Sequence, residues 1–199
     1  MLQLARALLF LHSHDIMHRD LKPDNILIDA QTHELKLSDF GSAKKLVPGR
    51  PSVTYACSRF YRAPELILDR NLYGVAVDIW SYGCIVAELA LGSPLFVGEN
   101  NTSQLLEILS VLGTITQADA DVMHTVPGDE LSVNIPHCAQ KPWPQALTLK
   151  LWDGRTVQTS FGADYESLLN GLLQWSPIKR YSSQQILAQP FFDAIKTPS

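Results

Sequence analysis

His18-Arg19-Asp20-Leu21-Lys22-Pro23-Asp24-Asn25 decides how this chain is read, together with Asp39-Phe40-Gly41 and Ala63-Pro64-Glu65 further along. The first stretch gathers a carboxylate, an ammonium and a carboxamide in one short loop, and the second adds another carboxylate beside a glycine. The flanks supply a scaffold. Residues 2–13 carry apolar side chains at helical spacing. Asp15-Ile16-Met17 is a short β-type lead into the loop. Ile26-Leu27-Ile28 and Leu35-Lys36-Leu37 are two short strands around turn-forming residues at 29–34, which together predict a hairpin.

Composition bounds the rest. At 199 residues and 46% hydrophobic, the chain can bury one sizeable core. A formal net charge of −4 gives no sign of nucleic-acid binding or of a polybasic membrane surface. No window reaches the ~18 uninterrupted apolar residues of a membrane span. The hydrophobic run after Met1 continues straight into the loop without a small-residue cleavage site, so it is not read as a signal peptide. Cys57, Cys84 and Cys138 are odd in number and unpatterned, which predicts reduced thiols in the cytoplasm or nucleus.

In order and spacing, these residues resemble the catalytic loop, metal-binding loop and anchor motif of eukaryotic protein kinases, which also project from a short hairpin. The resemblance implies transfer of the ATP γ-phosphoryl group to protein Ser/Thr hydroxyls with Mg²⁺. That chemistry needs positioning and charge neutralisation more than covalent help. Asp20 is then implied to accept or orient the substrate hydroxyl proton, and Lys22 to place positive charge near the γ-phosphate. Asn25 and Asp39 become Mg²⁺ ligands, their oxygens suiting a hard cation. Leu27 becomes the floor beneath the adenine ring. His18 and Phe40 fall to packing, His18 as a satisfied core histidine and Phe40 as part of a spine between two lobes. Glu65 and Arg180 are implied to form a buried ion pair. Asp78, in Asp78-Ile79-Trp80, is implied to hold the catalytic-loop backbone, with a simple helix N-cap as its alternative. Ser58 and Arg62 flank the substrate position. Ordinary surface carboxylates are the plain alternative for Asp20 and Asp39.

Residues 39–65, the activation segment, narrow the resemblance. Asp39-Phe40-Gly41-Ser42-Ala43-Lys44-Lys45-Leu46 leads into Val53-Thr54-Tyr55-Ala56-Cys57-Ser58-Arg59-Phe60-Tyr61-Arg62-Ala63-Pro64-Glu65, which is similar to the glycogen synthase kinase-3 family of the CMGC group. Ile85 to Gly113 extends the likeness. It implies that Tyr55 is an activation-loop phosphosite whose phosphate pairs with arginines. It also implies that Arg19 and Lys44 bind the phosphate of a pre-phosphorylated substrate through charge-assisted bonds. Protein substrates are the implied partners, and the family also uses scaffold proteins. Residues 126–160 depart from the family, so scaffold docking is not carried over. There Val126-Pro127-Gly128-Asp129 reads as a turn, and Leu147-Thr148-Leu149-Lys150-Leu151-Trp152 before Asp153-Gly154 reads as a hairpin.

The expected architecture is mainly α, a kinase-like carboxy-terminal lobe over residues 1–199 with short β-hairpins at the catalytic loop. Helices are expected at 2–13, 76–91, 103–112, 163–173 and 184–188, with a short one at 117–123. Trp80, Trp143 and Trp175 are expected in the core, and Phe191-Phe192 is expected to pack back on it. Met1 stands so close to His18 that a glycine-rich phosphate loop and its lysine have no room, which marks a partial kinase domain. Three readings stay open: the lobe of a longer kinase, a non-catalytic module that binds kinase partners or substrates, and a minimal active kinase.

Overall fold

Ala76–Leu91 forms a helix that is buried on nearly every side, including Val77, Asp78, Ile79, Trp80, Ser81 and Tyr82. A helix apolar all round belongs in the middle of a domain, and this one (α3) is the central post of the chain. The computed structural model describes residues 1–47, 49–52, 57–122, 138–150, 156–158 and 161–196. α1 (Leu2–Ser13) precedes α3, with Leu4, Ala5, Leu8 and Leu11 on its buried face. α2 (Pro64–Ile67) is a short buried helix, and α4 (Asn101–Leu112) and α5 (Gln117–Val122) follow α3. Then come α6 (Trp143–Ala146), α7 (Ala163–Leu172), α8 (Ser183–Leu187) and α9 (Asp193–Lys196). α1 packs on α8, and α7 packs on α3. Gly83 allows the second contact, because a Cβ there would come within 2.9 Å of Leu172 and Leu173.

β1 (Ile16–Met17) pairs antiparallel with β4 (Lys44–Lys45), Met17 opposite Lys44. β2 (Ile26–Ile28) pairs antiparallel with β3 (Leu35–Leu37), Ile26 opposite Leu37. Strands β1 and β3 of these small sheets pack against α1. β5 (Thr148–Lys150) and β6 (Thr156–Gln158) form a third antiparallel pair, so the part of the 147–152 alternation that is described, Thr148–Lys150, is a hairpin strand as expected. The turn between them lies outside the described residues.

Helices α1 and α3 run over the expected residues. α4 starts two residues earlier than its apolar pattern, because Asn100 and Ser103 close a reciprocal capping box. Three of the described helices were not expected: α2, which opens on Pro64, α6, with Pro144 in its first turn, and α9 at Asp193–Lys196. All three are too short for periodicity to register. Trp80, Trp143 and Trp175 are buried, as is Phe192. The Phe191 ring packs between Tyr165 and Phe192. Among the described residues no helix is long and apolar enough to cross a membrane.

Candidate active site

Asp78 organises the site from beneath. It sits in the first turn of α3 and is fully buried. Its Oδ2 accepts from the His18 amide at 2.8 Å and its Oδ1 from the Arg19 amide at 2.8 Å. The N-cap alternative fails: Val75 occupies that position without a side-chain cap, and Asp78 turns outward to the loop. Arg19 is thereby fixed at φ 66°, a left-handed conformation costly for a non-glycine residue. A third donor had no signal in the sequence. His12, at the end of α1, places Nε2 3.1 Å from Asp78 Oδ2.

His18 is buried and satisfied. Its Nε2 bonds the Ser38 carbonyl at 3.0 Å, its Nδ1 accepts from the Asp20 amide at 3.3 Å, and its ring stands edge-on to Phe40 at 5.0 Å. Phe40 itself remains 49% exposed, and Leu27 57%.

Asp20 takes four contacts on its two carboxylate oxygens. Oδ1 accepts from the Ser58 amide at 2.9 Å and its hydroxyl at 3.0 Å. Oδ2 accepts from Asn25 Nδ2 at 3.2 Å and lies 3.4 Å from Lys22 Nζ. Partial burial alone would raise the Asp20 pKa; the Ser58 hydroxyl and amide, with the Lys22 charge, outweigh it and hold the carboxyl below its usual value. The site therefore offers an ionised acceptor beside an ammonium.

Asn25 Nδ2 spends both its bonds on Asp20, the second reaching the backbone carbonyl at 2.7 Å. Among the described residues its amide oxygen takes no hydrogen bond. The Asn25 carbonyl accepts from the Ser38 amide at 2.8 Å, which draws the start of the Asp39 loop beside the catalytic loop. Asp39 adopts φ 57°, and its Oδ1 accepts from the Gly41 amide at 3.2 Å. A Cβ on Gly41 would stand 3.1 Å from that oxygen, so glycine keeps the carboxylate uncrowded. Two uncommitted oxygens, one carbonyl and one carboxylate, fit Mg²⁺, which binds through few protein ligands plus substrate phosphates.

Glu65 and Arg180 meet in a two-pronged ion pair, Nη1–Oε1 at 2.6 Å and Nη2–Oε2 at 2.7 Å. Arg180 also donates to the carbonyls of Gln174, Ala76 and Trp175 and lies over the Trp80 ring. Arg62 is buried and donates to the Cys57 carbonyl at 2.9 Å and to Asn101. Arg19 Nε donates to the Ser42 carbonyl, and Lys44 Nζ donates to the Ser52 hydroxyl. Tyr55 lies outside the described residues. Cys57 and Cys84 are buried, and burial pushes both thiols up, so neither is a nucleophile.

A charged loop braced by the buried Asp78 thus stands beside the Asp39 loop, and Glu65 and Arg180 close a separate buried ion pair. The sequence profile of the protein kinase domain matches residues 1–192, and the chain belongs to that family. Within it, the chain is similar to glycogen synthase kinases. It is 42% identical over 197 residues to protein kinase gsk3 of Schizosaccharomyces pombe, covering 99% of this chain and 48% of that one. It is 43% identical over 197 residues to glycogen synthase kinase 1 of Pyricularia oryzae, covering 99% of this chain and 46% of that one. The chain thus spans about half the length of the curated relatives it matches.

Proposed function

We propose that residues 1–199 form the carboxy-terminal lobe of a protein serine/threonine kinase of glycogen synthase kinase-3 type. The observation that carries this reading is Asp20, an ionised carboxylate held by Ser58, Asn25 and Lys22 at the mouth of the catalytic loop. When bound, ATP supplies the phosphoryl group and Mg²⁺ neutralises its phosphate charge. Asn25 and Asp39 hold the metal, and Leu27 forms one wall of the adenine site. Asp20 orients the substrate hydroxyl and takes its proton. Lys22 offsets negative charge as it shifts. Arg19 and Lys44 receive a phosphate already on the substrate, and Tyr55 is the activation-loop phosphosite. Protein substrates are the partners, in the cytoplasm or nucleus.

The exposed Leu27 and Phe40 support a second lobe that closes over this site, since water-facing apolar side chains of a charged site call for a cover. Catalysis then belongs to the two-lobed protein, because a closed, preorganised site supplies most of the rate. The test is γ-phosphate incorporation into a serine peptide by the longest native chain containing these residues. Asp39→Ala is expected to abolish it. Undiminished transfer by that variant would contradict the assignment.

A further inference from the structure

The two cations assigned to a substrate phosphate are held by neutral groups of the chain itself. Arg19 Nε donates to the Ser42 carbonyl at 2.6 Å, and its Nη1 to the Tyr73 hydroxyl at 3.0 Å. Lys44 Nζ donates to the Ser52 hydroxyl at 2.8 Å and to the Pro51 carbonyl at 3.1 Å. Ser52 is buried, and its own amide donates to the Asn71 carbonyl at 2.7 Å. The short segment from Asn71 to Tyr73 therefore braces both cations, one directly and one through Ser52. Among the described residues neither Arg19 nor Lys44 pairs with a carboxylate, so each keeps its charge uncompensated.

We propose that Ser52 and Tyr73 are positioning residues that set the preference of this lobe for phosphorylated over plain peptide. The inference rests on the reading of Arg19 and Lys44 as phosphate-binding. A solvated lysine or arginine loses rotamer freedom when it closes on a ligand, and that ordering weakens binding. Here the hydroxyls and carbonyls impose the order on folding. Lys44 has three donors and, among the described residues, spends two, which leaves one for a phosphomonoester oxygen. Arg19 likewise keeps donors beyond the two it uses. Charge-assisted bonds to a phosphate are short and directional, so pre-placed donors matter more for the dianion than for a neutral side chain. Uncharged acceptors suit this role, because a carboxylate at position 52 or 73 would hold the cation equally well but cancel its charge.

The experiment measures Kd by fluorescence anisotropy for a phosphoserine peptide and its unphosphorylated parent on the full 199-residue chain. Wild type is compared with Ser52→Ala, Ser52→Thr, Tyr73→Phe and Lys44→Ala. Ser52→Ala and Tyr73→Phe should each lower the ratio of the two Kd values by roughly three- to tenfold, through the phosphopeptide alone. Ser52→Thr keeps the hydroxyl and should hold the ratio within about twofold of wild type. A merely structural role would weaken both peptides alike and leave the ratio where it was. If Ser52→Ala unfolds the segment, Tyr73→Phe, which removes a single oxygen, carries the test. A ratio unchanged in Ser52→Ala and Tyr73→Phe, but lost in Lys44→Ala, overturns the inference and spares the reading beneath it. A ratio unchanged in Lys44→Ala, or no preference in wild type, overturns both.

Discussion

Asp20 gathers four donors on two oxygens: the Ser58 amide and hydroxyl on one, Asn25 and Lys22 on the other. Its pKa therefore falls although burial pulls it upward. A carboxyl whose folded pKa is depressed adds stability above its unfolded pKa of about 3.9 and loses it as pH falls through the folded value. This contribution is thus complete at neutral pH and disappears only in acid. A carbon-detected titration of the Asp20 carboxyl should show a midpoint below about 3.9 that moves up in Ser58→Ala. A midpoint above that value in wild type would contradict the geometry. At this scale Asp20, Lys22, Asn25 and Asp39 were legible because they sit in contiguous motifs. His12 and Tyr73 were not, because each reaches its partner across the fold: His12 is 66 residues from Asp78, and Arg19 is 54 from Tyr73. Ser52 is local to Lys44 but belongs to no motif.

Among the elements, a two-pronged ion pair ties α2 to the segment before α8. Arg180 uses its guanidinium on Glu65 and on three carbonyls, so every neighbour is arranged around a charge pair out of water. Removing one partner leaves the other charge buried and uncompensated. Glu65→Ala or Arg180→Ala should each lower unfolding free energy by about 3–5 kcal/mol in urea denaturation. The double variant should cost less than the sum of the two. Full additivity would show that the pair is not coupled. The long helices were readable from periodicity, and the β5–β6 hairpin from alternation. The β1–β4 pairing was not, since two-residue strands carry no pattern and Met17 finds Lys44 only once the activation segment folds back. α2 and α6 escaped for the same reason of length, although a proline in the first turn of each was a start signal.

Across the whole molecule, the polar site keeps exposed apolar side chains. His18 is buried, Phe40 leans against it with half its surface open, and Leu27 is exposed as well. Asp78 of the central helix holds the His18 and Arg19 amides next to Asp20, and the Ser38 amide on the Asn25 carbonyl brings the Asp39 loop alongside. The central claim is that Asp20 serves phosphoryl transfer rather than folding alone. It is tested most directly by γ-phosphate transfer from Mg-ATP to a serine peptide, comparing the longest native chain with its Asp20→Asn variant at equal thermal stability. The account predicts transfer by wild type and its loss, by about a hundredfold or more, in the variant. Equal transfer by both proteins, or none by wild type, would contradict it.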